Sequence, residues 1–311
     1  MSATTATTTS TSSWAIGFKR SIAREIETNG GRHDEPEIYA SPAGDLGLTG
    51  GPGSISWEIN GDLASLVVGG TAAILMEVLH PSVMDGVYTQ SSYRTDPLRR
   101  ARNTLGYVLR TTFGSTRPAT AVVERVKAVH AGVSGVAPTG ASYRALDPEL
   151  IGWVHTCIPW AVMSAFERTN RPLSIEEKDR YLREQAVIGR MGGAEQVPES
   201  VAELQEYVER MRPQMAMTYQ TVDFLGFLEG RVDQVQPMGR KERFDRWVAV
   251  RASMGLMPEW ARRMTGTHLP DPIYRAFFAP LDRLKARLIR SAYPAPPCVA
   301  MAHQRVAGPH H

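Results

Sequence analysis

The chain is poor in cysteine: its 311 residues include only two, Cys157 in an apolar run and Cys298 in a Pro-rich tail. So few thiols exclude a disulfide framework and a thiolate zinc site, and their separation excludes a C-x-x-C redox pair. The N-terminus, MSATTATTTSTSS, lacks the basic start and apolar core of an export signal. Both features set the expectation of a reducing, cytoplasmic location. Charge of one sign is also lacking. The 35 Lys+Arg face 32 Asp+Glu, interleaved for a formal net charge of +3, so no nucleic-acid partner is expected. The longest uncharged runs, Leu63 to Met76 and Leu150 to Phe166, are too short or too interrupted by His155, Thr156 and Pro159 to predict an integral membrane span. Sustained alternating apolar patterns and internal repeats are absent, which argues against a sheet or a solenoid. The motifs G-x-S-x-G, G-x-x-x-x-G-K-[ST] and H-E-x-x-H are missing too, which removes the common serine-hydrolase, P-loop and zinc-protease readings.

What is present is helical patterning in a chain that is 42% hydrophobic. Residues 14 to 28 read as a helix after a disordered 1 to 13, and a Gly/Pro-rich connection follows to residue 53. Asp62 caps an apolar helix that holds the pair Gly69-Gly70 and runs until Pro81. Glycine there costs about 1 kcal/mol per residue relative to Ala, which calls for close approach by a helix or a flat ligand. Thr95 or Asp96 with Pro97 starts the next helix, and Thr116 with Pro118 starts another, on which Val122, Val126, Val129 and Val133 form the expected buried stripe. Asp147-Pro148 opens a fourth, kinked at Pro159, and the capping box Ser174/Glu177 opens a fifth. Later patterns begin near Pro198, Gln214, Lys241, Pro258 and Asp271, and the proline content of 294 to 311 predicts an irregular tail. The expectation is an all-α protein: about ten helices, with residues 54 to 293 as one domain.

Three histidines, His80, His130 and His155, fall in or at the end of apolar helical patterns. An imidazole at the edge of a buried stripe, as His130 is, suits a metal or haem iron. The commoner role of a lone histidine is a hydrogen-bonded core residue. Arg100 and Thr104, four apart, share a helix face beside the stripe Leu98, Ala101, Leu105 and Val108. Such a guanidinium suits a propionate or carboxylate, although basic runs such as Arg99 to Arg102 are more often solvated. A carboxylate-bridged di-iron site would need Glu-x-x-His on two helices, and the chain does not carry it on two.

The series GDLASLVVGGTAAILMEVLHPSVMDGV, SSYRTDPLRRARNT, VKAVHAGVSG and YRALDPELIGWVH, in that order, resembles the DUF2236 family of latex-clearing rubber oxygenases and MpaB-type oxygenases across roughly Gly61 to Leu228. The resemblance implies an all-helical fold enclosing haem b, with His130 as axial iron ligand and Arg100 and Thr104 close to the haem. Where the rubber oxygenases carry a distal lysine, this chain has Asn103, which cannot replace the amine as an iron ligand. Their acidic residue for substrate deprotonation falls near the segment His80 to Asp85, where Asp85 is the only carboxylate. His155 joins the candidate cofactor contacts. The expected activity is oxygenation, with molecular oxygen, of an alkene or C–H bond in a small apolar substrate, by a protein that is free to form a homodimer. The rival readings are a non-catalytic haem or apolar-ligand carrier, and a mononuclear metal held by His80, His130 and His155.

Overall fold

The protein, as a computed structural model, is described for residues 36–232, 238–266 and 269–308. The segments read as a disordered 1–13 and a helix over 14–28 lie outside the described residues. The described chain begins with α1 (Pro36–Ala40), followed by α2 (Ile55–Gly61), α3 (Leu63–Glu77), α4 (Pro81–Gln90), α5 (Pro97–Phe113) and α6 (Thr116–His130). Strands β1 (Ser134–Val136) and β2 (Ser142–Arg144) pair antiparallel, with Gly135 opposite Tyr143. Then come α7 (Pro148–Thr169), α8 (Ile175–Gly192), α9 (Val201–Met211), α10 (Tyr219–Leu228), α11 (Arg240–Met254) and α12 (Glu259–Met264). The short α13 (Asp271–Ile273) runs through a π-helical turn, Tyr274–Phe278, into α14 (Ala279–Ala292), and α15 (Pro297–Ala307) follows. The protein is a single, predominantly all-α domain.

The helix starts follow from their caps. Ser54, Asp96, Ser174, Ser200 and Thr218 each accept a hydrogen bond from the backbone N–H three residues on, and Ser174 and Glu177 close the expected box in both directions.

Helices α3 and α7 form the centre, crossing along a seam of small residues that includes Ala72, Ala73 and Ala161. Gly69 sets their separation: a Cβ there would lie 2.7 Å from the Val162 Cα and 2.9 Å from the Ala161 carbonyl oxygen. Both obstacles are backbone, so neither can yield cheaply. Gly70, one residue on, is exposed, and a Cβ there would meet nothing within 4 Å. Gly69→Ala should therefore destabilise by about 2 kcal/mol or more despite alanine's better helix propensity, whereas Gly70→Ala in the ligand-free protein should gain up to about 1 kcal/mol. Chemical denaturation of the two variants checks the contrast.

One apolar cluster gathers Trp57, Leu66, Phe113 and Phe166 beneath α2, α5 and α7. Another gathers Met76, Trp153, Met211 and Met254 at the opposite end of α7. No single described helix is long and apolar enough to cross a membrane; α2 and α3 reach the length only together, across an 84° bend.

Several expectations need correction. The tail is a helix: Pro297 occupies the first turn of α15, where its missing N–H is harmless, and Cys298, Ala302 and Arg305 are buried. Arg305 donates to the carbonyls of Tyr39, Asp45 and Phe113, joining α15 to α1 and to the end of α5. The valine stripe is displaced, because Val129 is 65% exposed and the inward face of α6 is Ala119 and Val123, with Val126 and His130 half-buried in register. On α5, Leu98 and Ala101 are exposed, and burial begins with Leu105 and Val108. Asp62 begins α3 without capping it, since its carboxylate instead receives Ser65 and Arg290.

Candidate functional site

The first component lies on α5. Arg100 Nη1 donates to Thr104 Oγ1 at 2.5 Å, and the same hydroxyl donates to the Arg100 carbonyl at 3.2 Å. One helical turn thus pins the guanidinium along the helix. Its charge is felt on two other helices, by Glu77 at the end of α3 and by His130 at the end of α6.

His130 is half-buried. Burial, and then the nearby Arg100, lower its pKa below the ordinary 6.5, outweighing the helix C-terminus that would favour a cation. His155 on α7 is pushed further, to about 4, by burial and by His130. Both rings are neutral at neutral pH, the form in which imidazole binds iron. For His155 the folded value lies below the unfolded one, so this part of the stability is complete above pH 6.5 and is lost as pH falls toward 4.

Space for the His155 ring comes from α8. Cβ atoms at Gly189 and Gly192 would lie 3.4 Å from His155 Cβ and 3.1 Å from its Nε2. The Tyr107 ring meets the imidazole edge-on with centroids 6.1 Å apart. Proline at position 159 has no N–H to return to the His155 carbonyl, so the backbone here is short of one helical bond.

Glu77 was not singled out by the sequence. It is 7% exposed, and its carboxyl has no hydrogen-bond partner among the described residues. Burial raises its pKa to about 7 against the opposing pull of Arg100. The available signal was a lone carboxylate closing the apolar run ILME. Gly70, Ile74 and Glu77 share one face of α3, exposed at Gly70, half-buried at Ile74 and buried at Glu77. The structure therefore unites Arg100, Thr104, His130 and His155, and adds Glu77 and Tyr107.

Other candidates go elsewhere. Asp85 accepts from Tyr143 Oη and Gln220 Nε2, both at 2.7 Å, tying α4 to the hairpin and α10. Arg100, His130 and His155 are not among its partners. A Cβ on Gly135 would fall 2.9 Å from Tyr143 Oη, so the glycine of the V-H-x-x-V-x-G segment makes room for this clamp. Asn103 is exposed on α5. His80 caps α4 through Nδ1 and pairs with Gln214 through Nε2. Among the described residues no three His, Cys, Asp or Glu side chains converge on a metal position, which overturns the three-histidine metal reading.

These residues fit a haem. They offer a neutral imidazole for the iron and a guanidinium of the kind that holds a propionate. The family model described as "ER-bound oxygenase mpaB/B'/Rubber oxygenase, catalytic domain" matches residues 57–286. No curated protein and no solved structure matches the chain.

Proposed function

We propose, from the premise that the chain belongs to the mpaB/rubber oxygenase catalytic-domain family and is an oxygenase, that it works with haem b on a small, largely apolar alkene or C–H substrate. The observation that carries this reading is the convergence of the Arg100–Thr104 pair with a neutral His130. When bound, haem supplies the redox chemistry with molecular oxygen. His130 would ligate the iron, and Arg100, steadied by Thr104, would hold a propionate or orient oxygen. His155 and Tyr107 wall the site with groups that stay neutral.

Glu77 is the proton-transfer group in this reading, in place of Asp85. A carboxyl with a pKa of about 7 and no partner is poised to take a proton from substrate and return it. That poise favours an enzyme over a haem carrier. Cys157 and Cys298 are buried free thiols, which suits a reducing compartment such as the cytoplasm.

The test is oxygen uptake by the haem-loaded protein over a panel of alkenes, with spectra recorded in oxidised, reduced and CO-bound forms. Substrate-dependent uptake supports the proposal; red protein with no uptake on any of them supports the carrier. Glu77→Gln should keep the haem spectrum and lower turnover by about a hundredfold or more. Glu77 also predicts a stability slope. Its folded pKa of about 7 exceeds the ordinary 4.5, so its contribution is complete below 4.5 and is lost as pH rises through 7. Glu77→Gln should therefore stabilise the ligand-free protein by on the order of 2 kcal/mol at pH 8 and change little at pH 4.

A further inference from the structure

Helix α14 is apolar on two sides. Its inner side buries Ala279, Asp282 and Ala286, with Asp282 paired to Arg168. Its outer side carries Leu281 and Leu284, 38% and 53% exposed. Ahead of them Ile273 and Phe277, 37% and 67% exposed, extend an outward apolar stripe across the π-helical turn. The outer face of a solvated helix is normally charged, so four large apolar side chains within twelve residues need a partner. No described residue provides one.

The flanks say what kind of partner. Arg283 and Arg287 stand exposed on one side of the stripe and Lys285, half-buried, on the other. None of these, nor Arg275, forms an ion pair with a carboxylate among the described residues. From 272 to 292 the only acid is Asp282, which is buried beneath Arg168. Beside the stripe lies a cleft of about 490 Å³ bordered by Arg168, Arg262, Arg275 and Arg283 and by two carboxylates, Glu167, paired with Lys178, and Asp271. Arg168 and Arg262 are already paired with Asp282 and Asp271, which leaves Arg275 and Arg283, whose Nε donates to the Arg168 carbonyl, without a carboxylate partner among the described residues.

We propose that the α13–α14 face docks on anionic phospholipid bilayers, the Phe277–Leu284 stripe entering the headgroup boundary while Arg275, Arg283 and Arg287 pair with lipid phosphates. An outward apolar stripe with cations on both sides is the pattern of helices that lie in a membrane interface. A second copy fits worse, because a two-fold contact through this stripe would bring unneutralised arginines together. The inference is independent of the oxygenase reading.

The test is co-sedimentation of the full chain with phosphatidylcholine vesicles, with and without about one-third phosphatidylserine. The protein should bind the anionic vesicles, release from them at high salt, and ignore the neutral ones; added inorganic phosphate at millimolar concentration should not displace it. Phe277→Ser with Leu284→Ser, and separately Arg283→Gln with Arg287→Gln, should each lower partitioning about tenfold or more, with unchanged circular dichroism. Absence of binding, equal binding to both vesicles, or wild-type binding by the serine variant would overturn the proposal. So would a wild-type dimer that the serine variant dissolves, since the face would then belong to a second copy.

Discussion

His130→Ala protein is expected to fold and to be colourless. The side chain is half-buried at the last position of α6, so its loss removes little packing, while the haem of the proposal would lose the residue that holds it. Haem content should fall from near stoichiometric to near zero, and haem-dependent oxygen uptake should fall with it. His155→Ala separates the two imidazoles: with His130 as ligand, this variant retains haem. The measurement is the Soret band and a pyridine haemochrome assay on protein made with ample haem. Wild-type haem content in His130→Ala would exclude the assignment.

Arg305→Met, a change inside the core, should strongly destabilise the protein. Arg305 is 2% exposed and donates at 2.7 to 2.8 Å to three backbone carbonyls, those of Tyr39, Asp45 and Phe113. Burial disfavours its charge and Asp45 opposes that effect. Methionine would fill much of the volume while leaving these carbonyls without their donor and Asp45 without its cation. The expected loss is about 3 to 5 kcal/mol, or on the order of 10 °C in melting temperature. Calorimetry should show it; a change under about 1 kcal/mol would mean that water satisfies the carbonyls.

What the sequence disclosed depended on how local the cause was. Capping residues such as Asp96 and Ser174 act within three positions, and they mark the true helix starts. The Arg100–Thr104 pair is also local, since four residues on one helix fix its geometry. Glu77 was not legible because its perturbation comes from tertiary burial and from an arginine on another helix. Asp85 illustrates the converse: its position near the motif was suggestive, yet Tyr143 and Gln220, far along the chain, take up its carboxylate. On α6, counting valines misplaced the inward face because the small Ala119, not Val129, meets the neighbouring helices. Proline in the tail read as a stop and proved to be a first-turn residue.

The latch made by Arg305 spans almost the whole described chain, reaching back 266 positions to Tyr39 and 260 to Asp45. Until α15 docks, the carbonyls of Tyr39, Asp45 and Phe113 have only water to bond. A chain cut before α15 would therefore lose the clasp that holds the two ends of the described fold together, and its first elements would be the ones released.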